Sequence, residues 1–252
     1  MVYLISKILL YILNREIHTM QYNVDWFSGL SAFMRESPDQ LEIFLQTLRE
    51  RFFLNRHCVM SEYDASVESV GAYLLRHKRL VESFRSLAIS DHKLCFATRV
   101  LLTPGLYETS ALEKLLFSKE KLLCLKLPVS SYEDWMDLEI NHLLYKRKLR
   151  LCFTSFELPI ILYPYEVIEK LMRIQGAVFQ VNFRALAEPK ICEVVQRLIK
   201  QNTHVLLGCG IDSMDKIWYY EFDYYLDAAC QMLSRDTFMT LMRNNRLFWR
   251  KT

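Results

Sequence analysis

The chain has 252 residues, 52% apolar and 24% charged, with a net charge of +3. That length suits one α/β barrel or a pair of small domains, and the apolar share excludes a disordered chain. The slight positive charge is too weak to imply nucleic-acid binding on electrostatics alone, and only six Gly and six Pro argue against many tight hairpins or long flexible linkers.

Residues 1–13 are apolar except for Lys7 and a few polar positions. A membrane-spanning helix needs roughly 20 apolar residues, so this stretch is not expected to span. It has no small-residue cleavage site and does not read as a signal peptide. Leu4, Ile5, Ile8, Leu9, Ile12 and Leu13 fall at helical spacing. Residues 1–14 are therefore predicted to form a helical extension, packed on the main domain (15–252) or on a partner; contact with a membrane surface is the alternative.

Arg15–Met20 is predicted as the first strand. Ser37 as N-cap, Pro38 at the first helical position and Gln40 in a capping-box-like place open a helix to about Phe53. His57–Met60 is the second strand. Ser66–Leu87 is a long amphipathic helix with Val67, Val70, Tyr73, Leu74, Leu80, Val81 and Phe84 near one side. A β-rich run over Lys93–Leu102 and a short helix over Ala111–Phe117 follow. Leu122–Leu127 is a strand ended by Pro128. Ser131 caps the next helix, which opens on Glu133 and Asp134 and closes on Lys146-Arg147-Lys148, in keeping with the helix dipole. Leu149–Thr154, Ala177–Phe183 and His204–Leu207 are strands. Tyr165–Ile174, closed by Gly176, and Glu188–Gln201 are the helices between them. Phe222–Leu233 and Asp236–Arg243 are the last helices. Strand and helix alternate about seven times with no linker, repeat or low-complexity tract. This pattern predicts a mainly parallel sheet, closed or nearly closed into a barrel.

None of the seven cysteines stands in a CxxC pair, so zinc-ribbon and thioredoxin-like readings have no support. Cys58, Cys95, Cys124, Cys152 and Cys209 lie in strand-like apolar runs and are expected to be reduced core thiols. Cys209 sits in Gly208-Cys209-Gly210, but the following Ile211-Asp212-Ser213 lacks the arginine and helix start of a phosphate-cradling nucleophile loop. The stretch Trp218 to Tyr225 is rich in aromatic and acidic residues. Packing against the domain is the first reading and an interface the second. Lys146-Arg147-Lys148 reads as a solvent-facing helix end.

Several segments are similar to the metal-dependent tyrosine phosphatases of bacterial capsule and exopolysaccharide operons, within the PHP (polymerase and histidinol phosphatase) superfamily. Glu16-Ile17-His18-Thr19-Met20 resembles the opening DxHxH strand. Met60-Ser61-Glu62-Tyr63, with the helix through Arg76-His77-Lys78-Arg79, resembles the TPHY strand and its helix. Leu122–Pro128 resembles the central strand that ends in proline, and Ser155-Phe156-Glu157 stands where the family has His-Pro-Glu. Gly176-Ala177-Val178-Phe179-Gln180-Val181-Asn182 resembles the GAxxQxN strand, and His204 through Ile211 the HFxASDAH strand. The resemblance covers about residues 15 to 250. It implies a distorted TIM-like, PHP-type barrel of about seven mainly parallel strands with surrounding helices. In that family His, Asp and Glu at the carboxyl ends of the strands hold metal, typically manganese, and activate water against phosphotyrosine.

The resemblance also implies that most ligands are replaced. His18 keeps the first. Met20 replaces the second, and Glu62 stands for the TPHY histidine. The acid of the third strand falls near Thr98 or Arg99. Ser155 replaces a histidine while Glu157 is kept, Leu158 replaces an arginine, and Cys209 and Ile211 replace the closing Asp and His. Two readings of the remnants stay open. His18, Glu62 and Glu157 form a reduced one-metal site, or His18 is structural and the two carboxylates pair with Arg or Lys. Arg99 opposes metal directly. It would instead fill the old site with a salt bridge to Glu62 or Glu157, or bind an anion. His18, Glu62, Arg99, Glu157 and Cys209 are expected at one end of the barrel.

The function this implies is a degenerate, tyrosine-phosphatase-like pseudoenzyme of the bacterial cytoplasm, without metal-dependent catalysis. It would serve as a binding or regulatory component of capsule systems, with a tyrosine kinase tail or another capsule-assembly protein as partner, and with no cofactor and no nucleic acid. The alternatives are an active phosphoesterase with a remodelled manganese site, and a decayed sequence that folds with little activity.

Overall fold

The structure is a computed structural model that describes residues 23–28, 42–43, 45–47, 54–86, 93–117, 121–208, 224, 228–229 and 231–249. Among these, the strands are β1 (Asn23–Ser28), β2 (Leu54–Tyr63), β3 (Lys93–Leu101), β4 (Leu122–Lys126), β5 (Arg150–Thr154), β6 (Val178–Asn182) and β7 (His204–Gly208). Each pairs in parallel with the next in chain order. From β2 to β4 and from β4 to β7 the register is regular, whereas β1 joins the edge with register shifts. β1 lies beside β7, yet no hydrogen-bonded pairing joins them among the described residues. The expected barrel is thus a curled half-barrel of parallel strands, with helices around it.

Strand alternation divides the buried residues into two sets. Cys58, Met60, Ala97, Leu122, Cys124, Cys152, Val178 and Leu206 form one cluster with Phe117, the lining of the concave face. Leu123, Leu125, Leu151, Phe153, Phe179, Val181, Val205 and Leu207 belong to the larger cluster that packs against helices. Strands covered on both faces read as nearly continuous apolar runs, which is why they were legible. The concave lining uses smaller side chains because curling crowds that face. The outer layer carries the aromatics, with Phe153 stacked on Phe179 at 5.4 Å between ring centroids and Phe156 tilted onto Phe179 at 4.6 Å.

Helix α1 (Val70–Ser86) buries Val70, Tyr73 and Phe84. It begins later than the pattern suggests. Asp64 caps a turn by accepting from the Ser66 N–H (2.9 Å), and Val67, in that turn, is 78% exposed. Under α1 lies a buried polar network. Ser61 Oγ is 2.6 Å from both the Tyr73 hydroxyl and His77 Nδ1, and the Tyr73 hydroxyl donates to Thr98 Oγ1 at 2.8 Å. This satisfies polar groups on a sheet face that is otherwise apolar.

Helix α2 (Asp134–Asn141) starts after Glu133, and Ser131 is not its cap. Glu139 inside α2 is buried because its carboxylate accepts from the backbone N–H groups of Gly105 (2.6 Å) and Tyr107 (3.1 Å). The helix widens into a π turn over His142–Lys146. The expected helix at Ala111–Phe117 is instead a 3₁₀ turn at Leu112–Leu115, preceded by another at Leu106–Glu108. Helix α3 (Glu157–Leu162) has no counterpart in the sequence reading, since Pro159 conceals it. Helices α4 (Tyr165–Met172), α5 (Pro189–Lys200) and α6 (Arg235–Trp249) follow, α6 running past Arg243. No described helix is long and apolar enough to cross a membrane.

The strand beside β2 is β1, eight residues after the start expected at Arg15. The extension 1–14, the segment Arg15–Met20 with His18, the cap at Ser37 to Gln40, and Cys209 to Ile211 lie outside the described residues. Of the aromatic run 218–225, only Tyr224 is described, and it is exposed.

Candidate functional site at the mouth of the half-barrel

Inward-facing positions at the carboxyl ends of the strands converge where ligands collect in such sheets. β2 supplies Glu62, β3 supplies Arg99 and β4 supplies Lys126. Register places Glu62 opposite Arg99 and Arg99 opposite Cys124, two residues before Lys126. The result is one carboxylate between two cations. Glu62 Oε2 is 2.7 Å from Arg99 Nη2 and 3.1 Å from Lys126 Nζ. Burial pushes the Glu62 carboxyl up, but Arg99 and Lys126 outweigh this and hold it below the usual value. Burial draws Arg99 down, opposed first by Glu62 and more weakly by Glu157. Arg99 stays charged in any case, because guanidinium does not give up its proton in proteins.

Of the two residues considered for the third-strand acid, Arg99 is the one at the mouth. Thr98 faces outward, bound to Tyr73.

The second half of the mouth is built by β5, the turn after it, and β6. Ser155 has a left-handed backbone (φ 52), a conformation that a non-glycine residue holds only with support. The support comes from Gln180, whose side-chain Oε1 accepts from the Ser155 N–H (2.8 Å) and whose carbonyl accepts from the Phe156 N–H (2.9 Å). The turn delivers Glu157, buried, to Asn182. Asn182 Nδ2 donates to Glu157 Oε1 at 2.6 Å and the Asn182 N–H to Oε2 at 3.2 Å. Burial pushes the Glu157 carboxyl up, partly offset by those hydrogen bonds and by Arg99. Gln180 and Asn182, noticed in the sequence only as parts of a motif, thus brace the turn that carries Glu157.

The structure therefore brings Glu62, Arg99 and Glu157 together and adds Lys126, which the sequence reading missed. The available signal was parity: Lys126 stands two residues beyond the inward Cys124. Among the described residues no group of three or more His, Cys, Asp or Glu is arranged to hold a metal ion. Nor do these residues fit a divalent cation. Glu62 Oε2 is already shared by two cations, and an added dication would face both Arg99 and Lys126. Two surface grooves lie away from the mouth, one between α2 and α4 near Leu144 and Arg173, the other along the turn before α1.

No protein-family model matches this chain, and no curated protein does. Among solved structures the chain is similar to the one described as "Crystal structures of YwqE from Bacillus subtilis and CpsB from Streptococcus pneumoniae, unique metal-dependent tyrosine phosphatases". The TM-score is 0.60 at 13% identity, over 83% of this chain and 86% of that one. The chain has the fold of these phosphatases.

Proposed function

We propose that this chain is a degenerate member of the PHP-type tyrosine phosphatases, without metal-dependent catalysis, acting as a binding or regulatory component of a capsule or exopolysaccharide system in the bacterial cytoplasm. The observation that carries this reading is the Arg99–Glu62–Lys126 cluster: two cations neutralise Glu62, a mouth carboxylate partly open to solvent. Metal-dependent phosphoester hydrolysis needs the opposite arrangement, anionic and imidazole ligands that gather positive charge to lower the pKa of bound water. The mouth is then a surface for recognition, with Arg99 and Lys126 as its cationic groups for an anionic ligand. A tyrosine kinase tail or another capsule-assembly protein is the partner that the resemblance suggests.

The test is metal analysis of the full chain prepared with added manganese, together with turnover of a phosphotyrosine peptide. The expected result is no stoichiometric metal and no turnover above a blank. Bound manganese, with turnover abolished by His18→Ala or Glu62→Ala, would establish the alternative, a phosphoesterase with a remodelled site.

A further inference from the structure

We propose that Cys124 and Cys152, on the floor of the mouth, form a reversible dithiol–disulfide pair, a modification site for peroxide-class oxidants. The two residues are direct register partners on β4 and β5, and both belong to the concave cluster. Adjacent strands lie about 4.8 Å apart, within the roughly 4.4 to 6.8 Å between Cα atoms that a disulfide spans. Both are free thiols in the fold. The barrel layer that holds them also holds Arg99, opposite Cys124 in register, and the guanidinium and that thiol interact electrostatically.

This asymmetry assigns the roles. Arg99 stands opposite Cys124 in register, a cation on that side of the pair, and Cys124 is therefore the attacking sulfur. Cys152 has the reverse setting, for the neighbouring Cys124 thiol and burial push its thiol well up. Cys124 sulfur attacks one peroxide oxygen, the O–O bond breaks, and water leaves, giving sulfenic acid at Cys124. Cys152 sulfur then displaces the sulfenic oxygen as a second water, and its thiol proton goes with that water. Two thiols and one hydrogen peroxide become one disulfide and two waters. Both sulfurs are nearly fully buried. A peroxide is barely larger than water, so the site selects small oxidants over glutathione-sized disulfides. Cys58 and Cys95 are also register partners, but they lie deeper on the strands, two inward positions before Arg99 and its partner Glu62. Their pairing is the internal comparison.

The experiment treats the native full chain with hydrogen peroxide, blocks the remaining thiols, and maps tryptic peptides without reduction. The expected product links residues 122–126 to residues 151–170, about 2 Da lighter than the two free peptides together, and dithiothreitol reverses it. With Cys152→Ser, dimedone added together with denaturant after the peroxide step should label Cys124; with Cys124→Ser, it should leave Cys152 unlabelled. Recovery of both peptides unlinked, at a dose that oxidises exposed methionine in the same sample, overturns the proposal. So does linkage of 57–76 to 94–99 in its place, or a dimedone adduct on Cys152.

Discussion

Replacing Glu62 by Gln removes one charge and almost no volume, so it isolates the electrostatics of the mouth. Arg99 and Lys126 contact the same Glu62 oxygen, at 2.7 and 3.1 Å. Their nitrogens therefore lie no further apart than about 5.8 Å, the sum of those distances. At an effective dielectric of about 20, two unit charges at that separation repel by roughly 3 kcal/mol or more. The side chains of Arg99 and Lys126 are only 16% and 23% exposed, so neither escapes easily into water; Glu62 is 41% exposed, so solvent screens part of the effect. Exposed ion pairs contribute at most about 1 kcal/mol, while breaking a buried one costs about 3–5 kcal/mol. Glu62→Gln should fall between, at about 2 kcal/mol, with a Tm lowered by roughly 4–8 °C for a chain of this size. Urea unfolding followed by circular dichroism measures it. A second change, Lys126→Met, should recover most of the loss, because it removes the repulsion that the first change exposes. Millimolar phosphate should raise the Tm of Glu62→Gln more than that of the parent chain, since an anion can then enter between the cations. A Glu62→Gln protein as stable as the parent, or a double variant that adds the two losses, would refute this reasoning.

Glu157 has the opposite sign. Its folded pKa is raised by burial, so its stabilising contribution is complete below the unfolded value of about 4.3 and declines as pH rises through the folded value. In Glu157→Gln that decline should be absent, and the stability of the parent relative to the variant should fall as pH rises from about 4.3 through the raised folded value and then level off. Thermal melts at half-unit steps check it; a constant difference contradicts the assignment. Glu62, held low by its cations, behaves conversely: its contribution is lost as pH falls through its depressed value, below about 4.3. Tyr73→Phe removes the hydroxyl that meets Ser61 and Thr98 and should cost about 1–3 kcal/mol in urea unfolding, since it leaves buried partners unsatisfied. A loss below about 0.5 kcal/mol would mean that the network does not hold α1 to the sheet.

The sheet was legible because its strands are buried on both faces. Leu122-Leu123-Cys124-Leu125 and Val178-Phe179-Gln180-Val181 are too apolar to be surface segments, and their spacing leaves room for one crossover helix each. Helix ends were less legible. Ser131 has the chemistry of a cap, yet the chain enters α2 only at Asp134. Helix α3 was missed because Pro159 reads as a breaker, although a proline in the first turn loses no internal hydrogen bond. The turn at Ser155 was invisible for another reason. Its left-handed backbone is imposed by Gln180, a residue 25 positions away, and no local propensity records such a constraint.

The site was legible at Glu62, Arg99 and Glu157 through motif position, and Lys126 was lost because motif position ignores register. A strand's inward residues recur every second position, so once Cys124 is assigned to the concave face Lys126 must follow it there. Its lysine then changes the meaning of Glu62. Beside Arg99 alone, Glu62 would be one half of a neutral pair, with a carboxylate oxygen left to offer a cation. Between Arg99 and Lys126 it is outnumbered: those three charges sum to one positive charge, and the buried Glu157, its carboxyl pushed up by burial, is the second carboxylate nearby. The proposed absence of metal rests on this balance, since a dication bound to Glu62 would face both Arg99 and Lys126. The same two cations are the reason the proposed ligand of the mouth is an anion.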